Sequence, residues 1–214
     1  MAKESRGGDN NSVRRHRGGK VNPKDILSER DMIVERGDNE AMVDAVLTVS
    51  RDMLNDYPNA PLEQLLLSEM TEKATALGYY DHRGRTIAIN DKYFNAAMES
   101  AYAECVKQGF HPSNGNKTGL QAVVAHEFGH AITQAAGDRM GEFDLDNAAD
   151  RIVNEARKST KHRGVVQMAS KISRYATASN AEAVAEAVAD VYCNGKKAKA
   201  ESRAIVDVVN KYLK

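Results

Sequence analysis

Residues 123 to 132 read VVAHEFGHAI, and within them His126, Glu127 and His130 are the side chains best suited to chemistry. Positions four apart stack on one face of a helix, so a helical His126 and His130 can share one metal ion. Glu127 lies about 100° further round, where it could reach a water on that metal without serving as a ligand. Phe128 points away, and with Val123, Val124 and Ile132 it can anchor the helix in a core. Gly129 costs a long helix about 1 kcal/mol relative to alanine, which suggests that another backbone approaches closely there. A pair of core histidines satisfied by carbonyls is the plainer account of the same residues.

A catalytic zinc site takes three protein ligands and leaves a position for water. The extended pattern H-E-x-x-H-x-x-G-x-x-H would need Gly at 133 and His at 136, where the chain has Thr133 and Ala136. A carboxylate from a second helix is the alternative. SNAEAVAEAVADVY offers Glu182, Glu186 and Asp190, each four apart on one face. Like charges at that spacing repel, and no Lys or Arg occurs between Arg174 and Lys196, so the stripe calls for a cation from elsewhere. Ala181, Ala183, Ala185, Ala187 and Ala189 would let this helix pack tightly against another. Glu182 could bind zinc directly, or, three residues after Ser179, merely close a capping box. Glu186 could hydrogen-bond the imidazole of His126 or His130. A solvated acidic face is the third reading, and spacing leaves all three open.

The elements that must position these groups follow from periodicity. Met42, Val43, Val46, Leu47, Met53 and Leu54 predict a helix over 39–57, closed by Pro58 and Pro61. LEQLLLSE is too short for periodicity to separate strand from helix. Two β-prone runs, 78–81 and 86–90, flank HRGR, where Gly84 is expected to supply a tight reversal, so a hairpin is predicted. Phe94, Met98, Ala101, Tyr102 and Cys105 mark the next helix, followed by the turn-rich loop GFHPSNGN. The motif helix is expected over 117–136, with further helices over 147–158, 164–175, 180–193 and 197–213. The sum is an α+β domain, with a small early sheet and a helical remainder, over residues 38–214. RTIAIN, as an edge strand, could hold an extended peptide by main-chain pairing.

VVAHEFGHAI followed by SRYATASNAEAVAEAVADVY resembles the gluzincin metalloproteases, in particular the catalytic domain of anthrax lethal factor. That group is marked by H-E-F-G-H-A, a tyrosine, and a helix of the form E-x-x-A-E-A; the matching segments cover roughly residues 120–192. The resemblance implies a zincin-like fold, zinc on His126, His130 and Glu182, Glu127 as base, Tyr175 as the family's tyrosine, and Glu186 behind the ligands. It implies an endopeptidase acting on a protein or peptide substrate. Without it, Tyr175 reads as a residue that ends a helix and packs. Ala183 and Val184 stand where the toxin-like members carry bulky aromatics, and no toxin-delivery segment is present. The ending E-A-x-A-E-A-x-A-D-x-Y is also similar to zincin-like modules of phage head-associated proteins. That likeness implies a virion-associated setting and, as the alternative function, a non-catalytic structural or interaction protein that keeps the metal site.

Composition sets the wider bounds. The 214 residues suit one domain with an extension, and 42% hydrophobic with 28% charged residues is ordinary for a globular chain. With 30 basic and 30 acidic side chains the net charge is zero, which argues against a global nucleic-acid or membrane footprint. The charge is uneven, however: before residue 26 there are seven Lys or Arg against three acids. Residues 1–37 are therefore read as a flexible basic arm, a solubilising tail or a dock for an acidic partner or nucleic acid. No apolar run approaches 18 residues and none opens the chain, so neither a membrane span nor a signal peptide is expected, and residence is expected in a cytoplasm. Cys105 and Cys193 are expected as reduced core thiols rather than a disulfide or zinc ligands.

Overall fold

The computed structural model describes residues 33–35, 40–68, 76–93 and 95–214. Four strands form one sheet: β1 (Ile33–Glu35), β2 (Gln64–Ser68), β3 (Gly78–Asp81) and β4 (Thr86–Asn90), in the order β1-β2-β4-β3. β1, β2 and β4 are parallel, and β3 returns antiparallel to β4 with Tyr79 opposite Ala88. LEQLLLSE thus resolves as strand, with Leu65 and Leu67 buried. The arm expected over residues 1–37 lies outside the described residues except for Ile33–Glu35, which joins the sheet.

Two expectations about the hairpin need correction. All five residues of β4 are buried, whereas those of β3 are half-exposed, because β2 and β3 occupy both hydrogen-bonding sides of β4. RTIAIN is an interior strand, and the edge belongs to β3. In the turn, the left-handed residue is Arg85 (φ 49°), not Gly84. Asp81 accepts from the Arg83 backbone N–H at 3.0 Å, and a Cβ at position 84 would lie 2.8 Å from its Oδ2, so Gly84 makes room for that carboxylate.

Seven helices lie among the described residues: α1 (Glu40–Asp56), α2 (Ala96–Lys107), α3 (Gly119–Met140), α4 (Leu145–Thr160), α5 (Val165–Ile172), α6 (Asn180–Asn194) and α7 (Ala200–Leu213). α3 is the axis of the fold, with Val124, Phe128 and Ile132 fully buried. It packs on β3 and β4, and also on α1, α4, α6 and α7. Its first turn is capped twice. Thr118 and Gln121 form a capping box, and the Glu99 carboxylate of α2 accepts from the N–H groups of Gly119 (2.7 Å) and Leu120 (3.1 Å). An anion at a helix N-terminus is favourable for both hydrogen bonding and dipole reasons.

The motif helix runs a turn beyond position 136, since nothing breaks it until Gly141 adopts φ 75°. The helix expected to reach Tyr175 stops at Ile172. Ser173 is extended, and its Oγ accepts from the Ala176 N–H at 2.9 Å, so Tyr175–Thr177 forms a separate 3-10 turn. The last helix begins at Ala200, because Gly195–Lys197 is another such turn. The close approach inferred from Gly129 is to α6: a Cβ there would lie 2.6 Å from the Cα of Ala185. No described helix is long and apolar enough to cross a membrane.

Candidate metal centre

α3 presents His126 and His130 on one face, with ring centroids 5.0 Å apart, and the contact at Gly129 brings the start of α6 against them. Oε2 of Glu182 lies 3.0 Å from Nε2 of His126 and 3.7 Å from Nε2 of His130. Donor atoms from these three residues fall within 4.8 Å of one another, a group that could hold a metal ion. Ser179 Oγ caps α6 by accepting from the Glu182 N–H at 3.1 Å, while the Glu182 side chain points to the histidines. The cap uses the Glu182 backbone, which leaves its carboxylate free to face the histidines.

The electrostatics of the cluster suit a cation. Glu186 is 2% exposed, and its Oε1 lies 2.9 Å from Nδ1 of His126. A carboxylate only accepts, so a proton sits on Nδ1, and loss of a second proton from Nε2 would leave a lone pair facing Glu182. Oε2 of Glu182 is itself buried without a hydrogen-bond partner, as is Nδ1 of His130. Such acceptors are costly unless a proton or a metal lies among them, and the Nε2 proton of a charged His126, 3.0 Å from Glu182, can play that part. Burial alone would push the His126 pKa down, but the carboxylates of Glu182 and Glu186 hold it well above the usual histidine range. Burial, with the adjacent His126, pushes His130 down to about 4. Burial opposes ionisation of Glu186, yet the hydrogen bonds from His111 and His126 bring it down to about 2.

Glu127 is 6% exposed and lies over β3, where a Cβ on Gly78 would come within 3.1 Å of its Oε1. An open cavity of about 300 Å3 runs beside it, lined by Leu77 just before β3 and Gly78 at its start, by His126 and Glu127 of α3, and by Phe110, His111 and Tyr175. The Tyr175 ring is 5.8 Å from that of His126. Burial, then the charges of Glu182, Glu127 and Glu186, push its hydroxyl up to about 12, so it stays a hydrogen-bond donor at neutral pH. Tyr80 ties β3 to α3, its hydroxyl lying 2.6 Å from Oε1 of Gln134.

His126, Glu127, His130, Tyr175, Glu182 and Glu186 are all brought together, although they come from two helices and a turn. Asp190 is not. It accepts from Asn194 Nδ2 (2.8 Å) and from the Lys199 N–H (2.9 Å), tying the end of α6 to the start of α7. The acidic stripe therefore serves three separate tasks. Cys105 and Cys193 are free, and burial raises the Cys193 thiol to about 12. Sequence reasoning missed His111, whose Nδ1 lies 3.1 and 3.3 Å from the two oxygens of Glu186. Its one signal was a histidine inside the turn-rich GFHPSNGN, which no spacing rule connects to α3 or α6. Comparisons with protein-family models, with curated proteins and with solved structures find no match.

Proposed function

We propose that this protein is a zinc-dependent endopeptidase of the gluzincin type, with a zincin-like α+β fold and a protein or peptide substrate. The observation that carries this reading is the convergence of His126, His130 and Glu182 beside a buried acid, Glu127, at the wall of an open cavity. Two imidazoles and one carboxylate suit zinc, and three protein ligands are the number used where a position must remain for water. A purely structural zinc would ordinarily take four and would have no need of Glu127.

His126 and His130 would bind through Nε2 and Glu182 through Oε2. When bound, zinc lowers the pKa of water from 15.7 towards about 7 and polarises a carbonyl oxygen. Glu127 takes the proton of the attacking water on its carboxylate and returns it to the leaving amine. The Tyr175 hydroxyl donates a hydrogen bond to the oxygen on which negative charge develops. Glu186 holds the proton on Nδ1 of His126, which keeps Nε2 available. The edge of β3, next to Glu127, offers main-chain groups to an extended polypeptide.

Metal analysis and a peptide-library cleavage assay on the wild type and Glu127→Ala test the reading. Both proteins should bind about one zinc per chain, and only the wild type should cleave, since a general base contributes roughly 100- to 10,000-fold. A wild type that binds zinc and cleaves no peptide under varied conditions would favour the non-catalytic alternative.

A further inference from the structure

We propose that His111 is a positioning residue for the metal centre: it holds the Glu186 carboxylate that in turn orients His126. The inference rests on the metal-binding reading above. Glu186 is fully enclosed, and its partners are Nδ1 of His126 at 2.9 Å, Oγ of Ser173 at 2.7 Å, and Nδ1 of His111 at 3.1 and 3.3 Å. His126 engages Oε1 alone and Ser173 engages Oε2 alone. Nδ1 of His111 is nearly equidistant from both oxygens, so it holds the end of the carboxylate in place, while the donors on Oε1 and Oε2 fix its rotation. If the carboxylate shifts, the imidazole of His126 is drawn with it, and its Nε2 moves away from Glu182.

The His111 ring is itself clamped. Its face stacks on Tyr102 with centroids 5.1 Å apart and planes 8° apart, and it meets Phe110 and Tyr175 edge to face. The loop beneath is stitched to the Tyr175 segment, because the N–H groups of Arg174 and Tyr175 donate to the carbonyls of Gly109 (2.9 Å) and Phe110 (3.0 Å). Gly109 starts this loop at φ 71°. A second histidine–glutamate pair lies elsewhere in the fold: His162 and Glu201, on α7's side of the molecule, sit 2.9 Å apart and touch no candidate ligand. That pair is the internal control for an ordinary structural role.

The test uses the full chain with zinc affinity read by competition with a chromophoric chelator, the visible spectrum of the cobalt(II) form, and circular dichroism of the metal-free protein. His111→Leu should lower zinc affinity about 10- to 100-fold and alter the cobalt spectrum. His111→Asn, whose amide nitrogen takes the place of Nδ1, should recover most of the loss, and His162→Leu should leave both readouts unchanged. His111→Leu that folds and binds zinc within about twofold of the wild type, with the same spectrum, overturns the proposal. If the leucine variant does not fold, His111→Asn and His111→Gln replace it; equal affinity in these two overturns the proposal, and a loss in glutamine alone supports it. A wild type that binds no zinc removes the metalloprotease reading and this inference together.

Discussion

Replacing Gly129 by alanine puts the packing of α3 on α6 to a quantitative test. The added Cβ would lie 2.6 Å from the Cα of Ala185 and 3.2 Å from its Cβ and carbonyl oxygen. Carbon atoms settle near 3.5–4.0 Å, so the helices must part by roughly 1 Å. Two effects compete. Alanine gains about 1 kcal/mol of helix propensity, whereas overpacking a tight core costs about 1–3 kcal/mol. The obstacle is backbone, which no rotamer change can remove, so overpacking should win, with a net loss of up to about 2 kcal/mol. The same displacement carries Glu182, three residues before Ala185, away from His126 and His130. Metal sites tolerate only about 0.2 Å in ligand distance, so zinc affinity should fall on the order of 10- to 100-fold. Denaturant unfolding of the metal-free protein and chelator competition measure the two quantities. A variant more stable than the wild type, with unchanged zinc affinity, would show that this contact does not set the ligand spacing.

Zinc binding should displace one proton above pH 6.5, since His126 is held charged well above that value while His130, at about 4, is already neutral; apparent affinity then rises about tenfold per pH unit, and calorimetry in buffers of different ionisation enthalpy counts the proton. In the metal-free protein, the raised His126 contributes stability below pH 6.5 that is lost as pH climbs through its folded pKa. The lowered His130 loses stability as pH drops from 6.5 to about 4, and the lowered Glu186 does so from 4.5 to about 2. These three groups together place a stability maximum near pH 6.5, which denaturant titrations across pH would locate. Tyr175→Phe should lower kcat about 100-fold with zinc affinity unchanged; an unaffected kcat would return Tyr175 to a packing role. Asp190→Ala should cost about 1–3 kcal/mol by stranding the Lys199 N–H, with no change in zinc affinity; a weaker zinc site would mean the acidic stripe acts as one.

The parts of the fold that were legible in the sequence are those with local causes. The hairpin strands and the helix at 180 stand where alternation, turn residues and the Ser179 cap put them. His126, Glu127 and His130 were legible because four-residue spacing fixes a helix face whatever surrounds it. Glu182 was only half legible, since the same spacing to Ser179 also describes a cap, and 52 residues separate it from His130's neighbourhood with no local rule to close the distance. Which strand forms the edge was not legible, because β4 pairs with β2 across the sheet and that pairing is set by tertiary contact. The break at Ser173 was hidden too: a serine side chain captured a backbone N–H that the helical pattern would have used.

The near-contact of Gly129 with Ala185 also decides how the cleft can respond to a guest. On the proposed reading, His126, His130 and Glu182 ride on two helices whose backbones touch, so this half behaves as an anvil that cannot yield without separating those three side chains. On the same reading, accommodation of a bulky chain would fall to the half-exposed strand at Gly78–Asp81, which among the described residues pairs with a neighbouring strand on one side only and is tied to α3 through Tyr80.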